Sequence, residues 1–227
     1  MVTPGRICYD ASEVIGLENP KLVTDYLEKG SFYNILDEED YYLGNQLLEN
    51  EVIENLTIAH PVVDKSLLKH ETFIGGNFDK FEVSDTVFSG CDLSNCVLSE
   101  GSFYRVTFKN CKLLGTNFDQ SFLNNVTFEN CLLDMAALNQ LNLKTVVFSG
   151  CQMKDASFNE NKLVKVKFAH CNLNEMTFWQ TKLKGLDFSD SEFETIDLDQ
   201  EMMRGLKVNS EQASFLAQYF LGIKVSY

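Results

Sequence analysis

The sequence predicts an all-β solenoid with four sides. Two regularities carry that reading. From Leu43 to Val208 every fifth residue is Leu, Ile, Val, Phe or Met, thirty-four positions without a slip. Within that run, identical residues return every twenty: Phe88, Phe108, Phe128, Phe148, Phe168 and Phe188; Cys91, Cys111, Cys131, Cys151 and Cys171; Val106, Val126, Val146 and Val166.

A period of five fits neither a helix at 3.6 nor a flat strand at 2. It fits a chain that turns a corner after each pentapeptide. The large apolar residue is the centre of a side, and a second inward position lies two residues before it. From Thr86 to Leu206 that second position is small or apolar except at Asn161 and Glu201. The other three residues of each five are mostly polar. Like side chains stack when coils stack, so a coil is twenty residues and has four sides.

These features identify the chain as similar to the pentapeptide-repeat proteins, whose fold is a right-handed quadrilateral β-helix. Four stretches narrow the resemblance: Gly101 to Phe108, Gly115 to Phe118, Leu183 to Ser189, and the ending Gly205 to Ala213. They resemble the Qnr type, quinolone-resistance proteins that bind type II topoisomerases. Many Qnr proteins carry two loops that interrupt the repeat and are needed for protection. Here the register runs through unbroken, so the resemblance is to the loopless members.

Three parts are expected: a capping segment over 1–55, the β-helix over 56–208, and a C-terminal helix and tail over 209–227. A solenoid's first coil exposes its core and needs a cap. Asn19-Pro20 reads as a helix start, followed by an apolar face of Leu22, Val23, Tyr26 and Leu27 and a stop at Gly30. Asp37 to Asn50 reads as a second helix, with Asp37, Glu38, Glu39 and Asp40 at its positive end. Between Leu56 and Val83 the inward small positions are poor (Leu56, Pro61, Ser66, Glu71), as in imperfect first coils.

Six of the seven cysteines occupy inward small positions, and five of them form one column. In-register parallel side chains offer poor geometry for a disulfide, and a straight column cannot surround a tetrahedral zinc. The cysteines read as small buried hydrophobes in a reducing compartment. Cys8 stands alone. His60, His70 and His170 are scattered, and there is no Gly-rich phosphate loop or ligand cluster. The sequence therefore predicts no enzyme, cofactor or metal. Asn161, at an inward position, is expected to bond turn backbone. No signal segment or membrane span is visible, which predicts a cytoplasmic protein.

Lys and Arg total 19 against 33 Asp and Glu, a net charge of −14. That balance argues against nucleic acid or an anionic membrane as a direct partner and favours a basic protein surface. Sorted by side, the outward charges segregate. The side centred on Phe103, Leu123 and Leu183 carries Arg105, Lys144, Lys162, Lys165, Lys182, Lys184 and Arg204. The side centred on Leu98, Phe118 and Leu198 carries Glu100, Asp119, Glu160, Asp197 and Asp199. The adjacent side, centred on Leu93 and Leu173, carries Asp92, Asp134, Asp155, Glu175, Glu192 and Glu194 against Lys112 and Lys154. The two acidic sides hold roughly half the linear charge of duplex DNA, which has about 2.8 charges in the same 4.8 Å. Trp179 projects from the acidic corner as a possible anchor.

At the C-terminus Asn209 and Gln212 fit a capping box. Phe215, Leu216, Tyr219 and Phe220 supply more apolar surface than one coil end needs. The resemblance implies a twofold dimer there, and a DNA mimic that binds DNA gyrase or topoisomerase IV with possible quinolone protection. The competing reading is a repeat scaffold for another protein, with no gyrase activity.

Overall fold

From Asn45 to Gly185 every fifth residue has a left-handed backbone, with φ between 44° and 88°. This computed structural model describes residues 16–37 and 39–226, and those turns are the corners of a four-sided β-solenoid. Asn fills seven of these positions and Gly five, the residues for which this region costs least. The remainder are mostly polar side chains that leave the corner for solvent.

The strands between corners are β1 (Glu28–Lys29), β2 (Tyr42–Gly44), β3 (Gln46–Glu49), β4 (Val52–Glu54), β5 (Val62–Asp64), β6 (Leu67–Lys69) and β7 (Thr72–Ile74). Five eight-residue strands follow and bend across one corner each: β8 (Glu82–Ser89), β9 (Ser102–Lys109), β10 (Phe122–Glu129), β11 (Asn142–Ser149) and β12 (Lys162–Ala169). Short β13 (Thr177–Phe178) and β14 (Asp197–Leu198) close the series. Pairing is parallel, with an offset of eighteen between β1 and β3 and of twenty from β2 onward, for example Val126 with Val146 and Phe128 with Phe148. Strand pairs and single bridges run in this register from Tyr42 to Lys207, about eight coils with no interrupting loop.

The interior follows from the twenty-residue repeat. Phe88, Phe108, Phe128, Phe148 and Phe168 stack face to face, with centroids 4.8–5.0 Å apart and planes within 13°. The stack ends at Phe188, which meets Phe168 edge-on at 89°, where β12 has no strand beyond it. The neighbouring cysteine column is reduced and buried. Each thiol donates to the carbonyl oxygen of the apolar centre twenty-three residues earlier: Cys111 to Phe88, Cys131 to Phe108, Cys151 to Phe128. Thr116 and Ser121 make the same bond through their hydroxyls. The inward small position thus accepts a small donor as readily as a methyl group. Asn161 satisfies the backbone too, accepting from the Leu141 N–H and donating to the Leu138 carbonyl.

The N-terminal expectations need correction. The solenoid does not start at residue 56. β2, β3 and β4 pair in register with β5, β6 and β7, so residues 42–54 already form coil, and the helix expected over Asp37 to Asn50 does not form. No helix follows Asn19-Pro20 either. Only a 3-10 turn at Thr24–Tyr26 is present, with Val23 and Tyr26 more than half exposed. The cap is instead a second 3-10 turn, Phe32–Leu36, which drives Phe32 and Ile35 into the open end of the first coil. Ser31 caps its start, and the Glu51 carboxylate accepts from the Phe32 N–H at 2.7 Å. Cys8 lies outside the described residues.

Glu71 occupies the inward small position directly below Cys91. It is fully buried, and neither carboxylate oxygen has a hydrogen-bond partner among the described residues. Burial pushes its pKa up to about 7. The Glu51 N–H offsets part of this, and the Glu51 and Glu49 carboxylates add to the rise.

At the other end, helix α1 (Ser210–Leu221) starts with the expected capping box and stops at left-handed Gly222. Its lid function falls to Gln212 and Leu216, both buried. Gln212 donates to the Phe188 and Ser191 carbonyls, which no further coil would otherwise satisfy.

Candidate partner surface

Two adjacent sides meet at the acidic corner. On one, successive coils are tied by a side-chain ladder running along the axis. Ser99 donates to Asp79, the Asn139 N–H to Asp119, the Asn159 N–H to Asn139, and the Trp179 N–H to Asn159. Asp199 ends the ladder by accepting from the Gln180 N–H at 2.7 Å. Asp119 and Asp199 therefore do structural work as well as carrying charge. Trp179 is anchored by its backbone, and its indole is half exposed.

The predicted acids lie outward as expected, but they are not equivalent. Several have cationic neighbours one coil away. Glu100 lies 3.9 Å from Lys80, and Asp92 lies 3.4 Å from Lys112. Lys154 sits 3.9 Å from Asp155 and 3.6 Å from Glu175. At Asp92 burial pushes the pKa up. The Ser94 hydroxyl and N–H and the Lys112 ammonium outweigh it, so the carboxyl is held below its usual range.

Among the described residues, Asp119, Asp134, Glu160, Glu192, Glu194, Asp197 and Asp199 have no ion-pair partner. Five of these seven fall at or after residue 160. The uncompensated charge is thus concentrated in the last coils, around Trp179 and beside α1. The pairings that sort these acids were partly legible, because a Lys twenty residues from an acid stacks on it, as Lys80 does on Glu100.

The dimer candidates divide as well. Leu216 is buried against its own last coil, and Phe215 packs on Phe193 with centroids 6.1 Å apart. Phe220 is half buried. Tyr219 is 57% exposed, and Leu221, Ile223 and Val225 are also open. The last three are apolar residues that the sequence reading did not single out.

The described residues contain no group of three or more His, Cys, Asp or Glu arranged to hold a metal ion. None of their helices is long and apolar enough to cross a membrane.

Comparison with known proteins agrees with this architecture. Residues 101–178 match a family model described as pentapeptide repeat region, and residues 162–200 match one described as pentapeptide repeats in eight copies. No curated protein gives a match. Among solved structures, full-length QnrB1, a plasmid-mediated fluoroquinolone resistance protein, is 19% identical. The match covers 89% of this chain and 97% of that one, with a TM-score of 0.41. HetL, a pentapeptide repeat protein involved in heterocyst differentiation regulation in the cyanobacterium Nostoc, is 16% identical. It covers 73% of this chain and 86% of its own, with a TM-score of 0.37. The matched models lie inside the five-residue register that runs from Leu43 to Val208, and residues 101–200 are a pentapeptide-repeat region.

Proposed function

We propose that this protein binds a type II topoisomerase, DNA gyrase or topoisomerase IV, by presenting its acidic corner as a mimic of duplex DNA. The observation that carries the reading is the set of uncompensated acids on two adjacent sides, spaced by a coil repeat of about 4.8 Å. A saddle shaped for DNA is basic, and a rigid rod with outward carboxylates needs no rearrangement to meet it. Trp179 supplies an aromatic anchor among those acids. The sequence stretches shared with the Qnr type support the same partner and a role in quinolone resistance.

The open apolar residues of α1 and its tail, Tyr219, Leu221, Ile223 and Val225, support a homodimer through this end, with Phe215 and Phe220 beside them. Such a dimer doubles the length of the acidic rod. The protein acts as a binding protein in the cytoplasm, where the topoisomerase works, and needs no cofactor. A supercoiling assay with purified gyrase, with and without fluoroquinolone, tests this. The protein should change gyrase activity or its drug sensitivity in a dose-dependent way. Unchanged supercoiling under both conditions would favour a scaffold for another protein.

A further inference from the structure

Two of the last coils are joined on only half of their circumference. Residues 162–181 make one coil and 182–201 the next. On the two acidic sides they are tied together. Asn172 bridges to Glu192, β13 pairs with β14, and the Leu173 N–H donates to the Glu192 carbonyl at 2.7 Å. On the other two sides no backbone hydrogen bond or bridge joins residues 162–170 to residues 181–190. β12 keeps its pairing with β11 below it, so the break lies only above β12.

The cause is local. Elsewhere like stacks on like. On an acidic side turn lies over turn: the Thr116 N–H donates to the Leu113 carbonyl, Ala136 to Leu133, Ala156 to Met153 and Met176 to Leu173. On the opposite sides strand lies over strand from β8 to β12. Above β12 the chain changes form and closes a turn, with the Leu186 N–H donating to the Leu183 carbonyl at 3.0 Å. A turn does not present its carbonyls at the even spacing of a parallel strand edge, so the upper edge of β12 is left unmatched.

Charge acts in the same sense. Lys182 follows Lys162 by one coil, Lys165 and Lys184 flank them, and none of the four has an acidic partner among the described residues. Like charges facing each other across neighbouring chains repel. The core registers the break. Phe168 and Phe188 meet edge-on with centroids 5.4 Å apart, at the end of a face-to-face stack. Leu163 and Val166 are only partly buried, whereas Leu143 and Val146, one coil below, are fully buried.

We propose that residues 182–226 form a block that opens from the rod on its basic face, with residues 172–180 and 192–199 as the hinge and the facing lysines holding it ajar. A boundary bonded on one half only is where a solenoid opens first. The axis of opening runs along the acidic sides. The acids there keep their spacing, while α1 tilts with the block.

Pulsed electron spin resonance on spin-label pairs tests this. The full chain carries Cys8→Ser and is diluted with unlabelled protein, so that each pair reports one molecule. Ser102→Cys with Lys184→Cys spans the break on the basic face, and Lys112→Cys with Glu194→Cys spans the same boundary on an acidic side. All four positions are exposed. The basic-face pair should give a distance distribution at least about twofold broader than the acidic-side pair, with a longer component. Lys162→Glu sets opposite charges across the break and should gather the basic-face pair into its shorter distance. Equally narrow distributions for both pairs would overturn the proposal, because rod and block would be one rigid body. Equally broad ones would overturn it too, because the last coils would then fray instead of hinging. So would a basic-face spread that Lys162→Glu leaves unchanged.

Discussion

Phe128→Ala should cost about 3–5 kcal/mol, the range for emptying a fully buried aromatic position. The ring is fully buried and lies 5.0 Å from Phe108 and 4.9 Å from Phe148, nearly parallel to both. Its removal opens a cavity in a stack whose neighbours are held in place by β9 and β11, so they cannot collapse into it. Two ring–ring contacts are lost together with the buried area. Asn142→Ala, exposed on the next coil, should change stability by less than about 0.5 kcal/mol. Chemical denaturation ranks the two variants. A smaller effect at Phe128 would mean that the ladder does not hold the coils together.

Glu71→Gln should stabilise the protein at pH 8 and have little effect at pH 4.5. The folded pKa of about 7 lies above the ordinary value of 4.5. Between those two pH values the folded state keeps a proton that the unfolded state has lost, so stability falls as pH rises through the window. Below 4.5 both states are protonated, and the difference vanishes. Above about 7 the folded state holds an unpaired buried carboxylate, and the full penalty of about 3 kcal/mol applies. Gln has the same shape and no charge. For a domain of this size the thermal midpoints of variant and wild type should differ by about 5–10 °C at pH 8 and converge near pH 4.5. Parallel midpoint curves across that range would show that Glu71 is neutralised in some other way. Asp187 works in the opposite sense. Burial raises its pKa, but bonds from Lys207 and Ser189 outweigh this and hold it at about 2. Its contribution is present above the ordinary Asp value and is lost as pH falls toward 2.

The solenoid was legible because its period is its own proof. A side chain repeated every twenty residues stacks on its copy, and Phe88 to Phe168 needed no long-range information to place. The ends were harder for the same reason. Beneath the first coil lies the cap and not another coil, so Gln46 and Glu51 stand where Cys or Val would otherwise be needed. The acidic run before them then looks like a helix start. The contact of residues 18–21 with the rod was illegible. Glu18 and Lys21 are held by Asn125 and Asp85, residues more than sixty positions away, and no local pattern announces such bonds. Glu71 was visible as a poor inward residue. Its lack of any partner became clear only when Glu51 was seen turned toward Phe32.

The sides of the acidic corner could also be read from position in the coil. Which acids stay unpaired depends on where lysine side chains reach, and only part of that follows from a spacing of twenty. The structure moves weight from Asp92, Asp155 and Glu175 toward the last coils.

Titration of purified gyrase with charge variants tests the DNA-mimic reading most directly. One variant carries Glu160→Gln, Glu192→Gln, Glu194→Gln and Asp197→Asn. The other carries Lys144→Gln, Lys162→Gln and Lys182→Gln on the basic side. All of these positions are outward, so thermal midpoints should stay close to wild type. The acidic-side variant should bind at least about tenfold more weakly at low salt, and its remaining binding should depend less on salt. The basic-side variant makes the rod more negative overall and should bind like wild type, because a defined footprint, not net charge, is recognised. Equal affinity of wild type and the acidic-side variant, or no binding of gyrase by wild type, would contradict the account.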